Sequence, residues 1–217
     1  MALGLLGKKV GTTQGFGEDG QRLTLTVVEA GPCVVTQRKT EESDGYSALQ
    51  VGYQEIDKRK AGKPMLGHTG KCGKGPFRFL REFRLEDAKG FEPGQRITLE
   101  IFQKGDLVDV TGRSKGKGFQ GTVKRHHFTR GPMSHGSKNK RAPGSIGSSA
   151  FPSRVIKGKR MPGHMGDRTV TVQNLKVWSL EPENNLLFIV GNVPGANNGL
   201  LIIRPSVKSG RTGAKNG

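Results

Sequence analysis

The chain has 217 residues, with 36 Lys or Arg against 18 Asp or Glu and a formal net charge of +18, so an anionic partner is expected, either nucleic acid or a charged membrane surface. Two cysteines, Cys33 and Cys72, exclude a disulfide framework, and no apolar run approaches the ~18 residues of a spanning helix. A 32% hydrophobic content with 34 glycines leaves material for only a modest core, in one domain or two small ones.

In chain order, Met1 to Gly7 is apolar but short, and Lys8 and Lys9 follow it instead of preceding it, the wrong order for a secretory signal. A cytoplasmic chain is expected, in keeping with free thiols. Leu23 to Val28 alternates Leu and Thr, which predicts a half-buried strand. Val34 to Gln37 and Ser47 to Gln54 are further β-rich runs, separated by the turn signal Asp44-Gly45. Lys58 to Gly75 reads as a basic Gly/Pro-rich surface loop. His68 and Cys72 within it make a poor metal site, because a closed site needs four ligands in paired spacings and no second pair is present. Phe77 to Leu85 fits a short helix or a strand, having neither period cleanly. Arg96 to Phe102 alternates Ile97, Leu99 and Ile101 with polar residues and predicts a strand. Leu107 to Val110, Thr169 to Val172, Leu175 to Leu180, Leu186 to Val190 and Leu200 to Arg204 complete the β runs. Many short strands at such spacing predict a mostly β protein, a barrel or sandwich.

From Val110 to Gly166 there are thirteen Lys or Arg and no Asp or Glu, so the rest of the chain carries only +5. A single-sign field raises the free energy of the compact state by self-repulsion, which an anionic ligand offsets. Eleven glycines and four prolines exclude the long amphipathic helix with which basic segments lie on lipid. The block lies between predicted strands, so both of its ends are anchored.

Its opening, Thr111 to Gly121, looks superficially like a nucleotide motif. A P-loop needs four residues between its glycines and then Lys with Ser or Thr; Gly112 and Gly116 enclose three, and Gly118 follows Lys117. Lys117-Gly118-Phe119 also begins like the sheet motif that stacks RNA bases, but Gln120-Gly121-Thr122 breaks the pattern. Catalysis by His126, His127, His135 or His164 would need a carboxylate or nucleophile; the nearest carboxylates in sequence are Asp109 and Asp167, and no Gly-x-Ser-x-Gly elbow is present. The enzyme alternative is a cytoplasmic hydrolase or nucleotide-dependent enzyme with a basic substrate cleft. A basic Gly-rich run is also often a disordered linker. Here Val123, Met133, Ile146, Val155, Ile156 and Met161 punctuate it, which favours ordering on a partner.

RNA accounts for more of these features together. Glycine permits close backbone approach, Arg and Lys neutralise phosphates, and Phe119, Phe128 and Phe151 can stack on unpaired bases. Ten phosphate contacts would give a log affinity against log salt slope of roughly −7 to −9. No zinc finger, basic zipper or recognition helix argues for DNA.

Five stretches carry a resemblance. They are Leu5-Leu6-Gly7-Lys8-Lys9-Val10-Gly11-Thr12-Thr13, the run from Asp109 to Phe119, Pro143-Gly144-Ser145-Ile146-Gly147, the run from Lys157 to Gly166, and Val193-Pro194-Gly195. In this order they resemble the bacterial-type large-subunit ribosomal protein L three family, from Leu3 to Pro205. The resemblance implies a translation-protein-type β-barrel on the solvent side of the subunit, with a small α+β or loop insertion. It also implies a long, largely irregular basic extension inserted between strands, reaching through the RNA toward the peptidyl-transferase centre. Residues 1–110 would form the first part of the barrel, with an inserted region at 55–95; 111–166 the extension; 167–208 the rest of the barrel; and 209–217 a flexible basic tail. A structural, non-catalytic role is implied, without cofactor, metal or small-molecule substrate. The implied partners are 23S-type rRNA near its 3′ end, bound early in assembly, and the fourteenth and nineteenth large-subunit proteins.

The expected RNA-facing residues are Arg113, Lys115, Lys117, Lys124, Arg125, His126, His127, Arg130, His135, Lys138, Lys140, Arg141, Arg154, Lys157, Lys159, Arg160 and His164. Two departures from the family pattern stand out. His126-His127 stand where several bacterial members have Trp-Asn, and Ser148 stands where some carry a methylated glutamine.

Overall fold

A computed structural model describes residues 3–208 except positions 87 and 89; the expected tail at 209–217 lies outside the described residues. The first strands in chain order are β1 (Leu5–Phe16), β2 (Arg22–Ala30), β3 (Cys33–Lys39), β4 (Ala48–Glu55), β5 (Phe77–Arg84), β6 (Arg96–Ile97) and β7 (Leu107–Arg113). They are followed by β8 (Phe119–Gln120), β9 (Gly163–His164), β10 (Thr169–Glu181), β11 (Leu186–Val190) and β12 (Leu200–Pro205). Three short helices intervene: α1 (Glu41–Asp44), α2 (Lys63–Gly70) and α3 (Thr122–His126). The chain divides into a β unit, which runs through Arg113 and resumes at Thr169, and an insert, Ser114–Arg168.

In the β unit, β1, β12, β7, β10, β11 and β2 are hydrogen-bonded in that order, and β2 returns to β1, closing a barrel. Every pairing is antiparallel. Period-two alternation explains the core: Leu5, Val28, Val110, Val177, Leu187, Ile189, Leu201 and Ile203 are all almost completely buried. The alternation changes phase where β1 bulges between Lys9 and Gly11, so β1 turns from buried to exposed residues along its length. A second sheet, in the order β5-β4-β3-β6, adds Val35, Leu49, Val51 and Phe83 to the same core.

Lys9 is buried, and its Nζ donates to the Val193 carbonyl at 3.1 Å, while Asn198 N–H donates to the Lys9 carbonyl at 2.7 Å. These bonds fix the Val193-Pro194-Gly195 turn. Gly195 has φ +101°, and a Cβ there would lie 2.8 Å from the Arg113 carbonyl oxygen, so only glycine fits without displacement.

Several sequence expectations need correcting. Arg96 to Phe102 is a strand only at Arg96–Ile97; Leu99–Ile101 forms a 3-10 turn that buries Leu99 and leaves Ile101 exposed. An alternating pattern cannot distinguish this turn from a strand, since either buries Leu99. The region read as a loop from Lys58 to Gly75 contains α2, because Val34, Cys72, Phe77 and half-buried Leu80 form a small core beside it. Thr169 to Val172 and Leu175 to Leu180 belong to the single strand β10, whose register shifts between Val172 and Leu175. Asn174 supplies the irregularity with φ 57°. Phe77 to Leu85 resolves as a strand through Arg84.

Candidate nucleic-acid interface

The insert begins as a two-stranded neck built largely from backbone bonds. Ser114 N–H donates to the Arg168 carbonyl at 2.9 Å, Lys117 N–H to Met165 O at 2.9 Å, and Met165 N–H to Gly118 O at 3.0 Å. β8 and β9 continue it, pairing Phe119 with His164 and Gln120 with Gly163. Gly166, at φ +75°, passes against the Lys115 carbonyl where a Cβ would collide. α3 then turns the chain, burying Thr122 and ending at His127, whose φ of 60° and N–H bond to Thr122 O make a left-handed cap.

Two of the expected RNA-facing residues are committed to this fold. Arg125 Nη1 donates to the Met161 carbonyl at 2.6 Å, and His126 Nε2 lies 3.1 Å from the same oxygen. Both side chains are half-buried, and the His126 ring lies 6.1 Å from that of Phe128. These contacts cross a separation that sequence inspection does not reveal: the motif from Lys157 to Gly166 is visible, but the use of the Met161 carbonyl as an acceptor is not.

The other fifteen expected residues are exposed. Arg113 lies at the end of β7, and Lys115, Lys117 and His164 line the neck. Lys124 lies within α3 and His127 caps it. Arg130, His135, Lys138, Lys140, Arg141, Arg154, Lys157, Lys159 and Arg160 lie between residues 129 and 160, which contain no helix or strand. Within this stretch Gly131 N–H donates to the Lys140 carbonyl at 3.0 Å, and a Cβ at Gly131 would collide with the Asn139 carbonyl, so backbone segments approach closely there. Phe119 and Phe151 are 76% and 88% exposed, leaving their ring faces available for stacking.

The candidate carboxylate Asp109 and the weighed metal-site pair His68 and Cys72 each have structural partners. Asp109 is buried and accepts the Asn174 N–H at 3.0 Å and the Val207 N–H at 3.2 Å, so its carboxylate is occupied in holding β10 and the end of β12. His68 Nε2 meets Gln50 Oε1 at 2.6 Å, and Cys72 Sγ donates to the Thr69 carbonyl at 2.9 Å, so the two groups engage different partners. Burial pushes the Cys33 thiol up to about 12, a shift opposed by its backbone contact with Leu6. Among the described residues no group of three His, Cys, Asp or Glu is placed to hold a metal, and no helix is long and apolar enough to cross a membrane.

An exposed polycation without carboxylates has the chemistry of a polyanion-binding segment, here carried by a mostly β protein. The profile of the family described as Ribosomal protein L3 matches residues 84–185. The large ribosomal subunit protein uL3 of Syntrophus aciditrophicus is 54% identical over 205 residues, covering 94% of each chain. The uL3 of Geobacter metallireducens is 54% identical over 209 residues, covering 96% of this chain and all of the other. That of Geobacillus sp. strain WCH70 is 52% identical, covering 96% of this chain and 99% of the other. The chain belongs to the ribosomal protein L3 family. This is a family of structural ribosomal components and not of enzymes.

Proposed function

We propose that the protein is a structural constituent of the large subunit of the cytoplasmic ribosome, and that its insert binds large-subunit rRNA directly. The observation that carries the reading is the exposed, carboxylate-free run of cations in the insert, set on a neck whose own backbone and Arg125 hold it in shape. Self-repulsion in such a segment is offset by phosphates, and its irregular backbone with many glycines suits threading between packed RNA helices. Membership in a ribosomal protein family supplies the RNA class.

On this reading the barrel is of the type shared with translation proteins and docks on the subunit's solvent side. The insert runs as a long basic extension toward the peptidyl-transferase centre. Binding falls near the 3′ end of 23S-type rRNA and acts early in assembly, with the fourteenth and nineteenth large-subunit proteins as neighbours. Lys157, Lys159 and Arg160 neutralise phosphates, whereas Arg125 and His126 shape the neck that presents them.

The test is deletion of residues 124–159 in cells that depend on this gene copy. Loss of mature large subunits on sucrose gradients, with the shortened protein still soluble, is the expected result. A normal subunit profile would remove the reading.

A further inference from the structure

The insert does not account for all of the concentrated charge. Residues 58–81 of the β unit contain eight Lys or Arg and no Asp or Glu. Setting aside these eight and the thirteen of the longer acid-free block leaves fifteen cations against all eighteen carboxylates, so the remainder of the chain is slightly acidic. The excess positive charge therefore sits wholly in two places. One of them lies in the β unit.

All eight side chains, Lys58, Arg59, Lys60, Lys63, Lys71, Lys74, Arg78 and Arg81, are exposed, and among the described residues none takes part in an ion pair. The carboxylates that flank them in sequence are used elsewhere. Asp57 Oδ1 accepts the Arg59 backbone N–H at 3.1 Å, and Glu55 Oε1 accepts the Gly75 N–H at 3.0 Å. Glu82 is bound by Lys39 at 3.0 Å and by the Tyr46 hydroxyl at 2.9 Å. These three flanking carboxylates fix the run's backbone or a neighbouring strand and, among the described residues, form no ion pair with its cations.

The segment is also folded in place. Cys72 and Phe77 pack with Val34, His68 bonds Gln50 on β4, and Ile56 N–H donates to the Pro76 carbonyl at 2.8 Å. A flexible basic loop would pay the entropy of ordering on contact, whereas this one presents its charges already positioned. A protein partner fits the composition poorly, because protein interfaces deplete Lys and bury an apolar centre. Exposed Lys and Arg interleaved with glycines match a phosphate backbone.

We infer that residues 58–81 form a second, preformed binding surface for the phosphodiester backbone of folded RNA, acting separately from the insert and without reading bases. The inference rests on the reading that the protein binds large-subunit rRNA.

The test uses the full-length chain and purified bacterial large-subunit rRNA, with affinity measured across a salt titration and contacts mapped by hydroxyl-radical footprinting. One variant combines Lys58→Gln, Lys60→Gln, Lys63→Gln and Lys74→Gln; another combines Lys157→Gln, Lys159→Gln and Arg160→Gln. The first variant should lower the steepness of the log affinity against log salt slope by about 3, given 0.7 to 0.9 per lost contact. It should also lose a cluster of protected riboses that the second variant keeps. Arginine at the same four positions should restore both. If the first variant keeps the parental slope and footprint while the second does not, the second surface is refuted and RNA binding by the insert stands. If neither variant differs from the parent, both readings fail. Failure of the arginine set to restore the slope and the footprint also overturns the inference.

Discussion

Arg125 donates from Nη1 to the main-chain carbonyl of Met161, joining two stretches of the insert 36 residues apart at 2.6 Å. Ten of the insert's exposed cationic or histidine candidates lie between these anchor points, so a side chain that resembles its neighbours in charge also serves a structural purpose. It closes the base of the segment that the others decorate.

Arg125→Ala should therefore open the neck. A charge-assisted hydrogen bond is worth about 1.5 to 3 kcal/mol when fully made, and half-burial places this one toward the lower end. Amide exchange in the free protein should quicken by at least about tenfold at Lys117 and Met165, whose N–H groups close the neck ladder. Exchange equal to that of the parent would show that the backbone ladder holds the neck unaided.

Asp109 presents the opposite case, a carboxylate that could be mistaken for a reacting group. Asp109→Ala leaves the Asn174 and Val207 N–H groups without their acceptor. Each part-buried unpaired amide costs about 1 to 3 kcal/mol, so the midpoint of urea unfolding should fall clearly. RNA affinity at a temperature where the variant remains folded should be unchanged.

Glu82 links stability to acid pH. Burial opposes its ionisation, but hydrogen bonds from Lys39, Tyr46 and Gln50 outweigh burial and hold the carboxyl below its ordinary value of 4.5. The unfolded chain then binds the proton more readily than the folded one, so stability rises with pH across that interval. The contribution is complete above about pH 4.5 and is lost as pH falls through the folded value. Urea midpoints measured down this range should decline less steeply for Glu82→Gln than for the parent; parallel curves would contradict the assignment.

Cys33 is fully buried beside Leu6, and its thiol is pushed up to about 12 by that burial. The nucleophile in disulfide exchange is the thiolate, so Cys33 should resist an aromatic disulfide reagent at pH 8 and react at once in denaturant. Labelling of Cys33 at the rate of a free thiol in the folded protein would show that the core opens far more often than its packing implies.

Much of the β unit could be read from local pattern. β11 and β12 coincide closely with the apolar runs Leu186 to Val190 and Leu200 to Arg204, because a buried strand needs only its own side chains to announce it. The charge of the stretch from Val110 to Gly166 is equally plain, since its absence of carboxylates is a property of composition. Strand β1 was visible only as a family motif: Lys8 to Thr13 has no alternation, and the bulge between Lys9 and Gly11 shifts the phase that alternation would follow.

Partnership was settled by tertiary structure alone. β1 pairs with β12, placing Leu5 opposite Ile203, because closing the barrel satisfies edge hydrogen bonds that no neighbouring segment could. Leu99 enters the core from a 3-10 turn instead of a strand because its hydrophobicity specifies burial but not the backbone that achieves it. The same division holds for the cations. Sequence determined how many there are and that no acid lies among them. Only the folded chain decided that Arg125 is spent on a carbonyl while Lys157, Lys159 and Arg160 stay exposed, since charge is carried by a residue and its use depends on what lies within hydrogen-bonding distance.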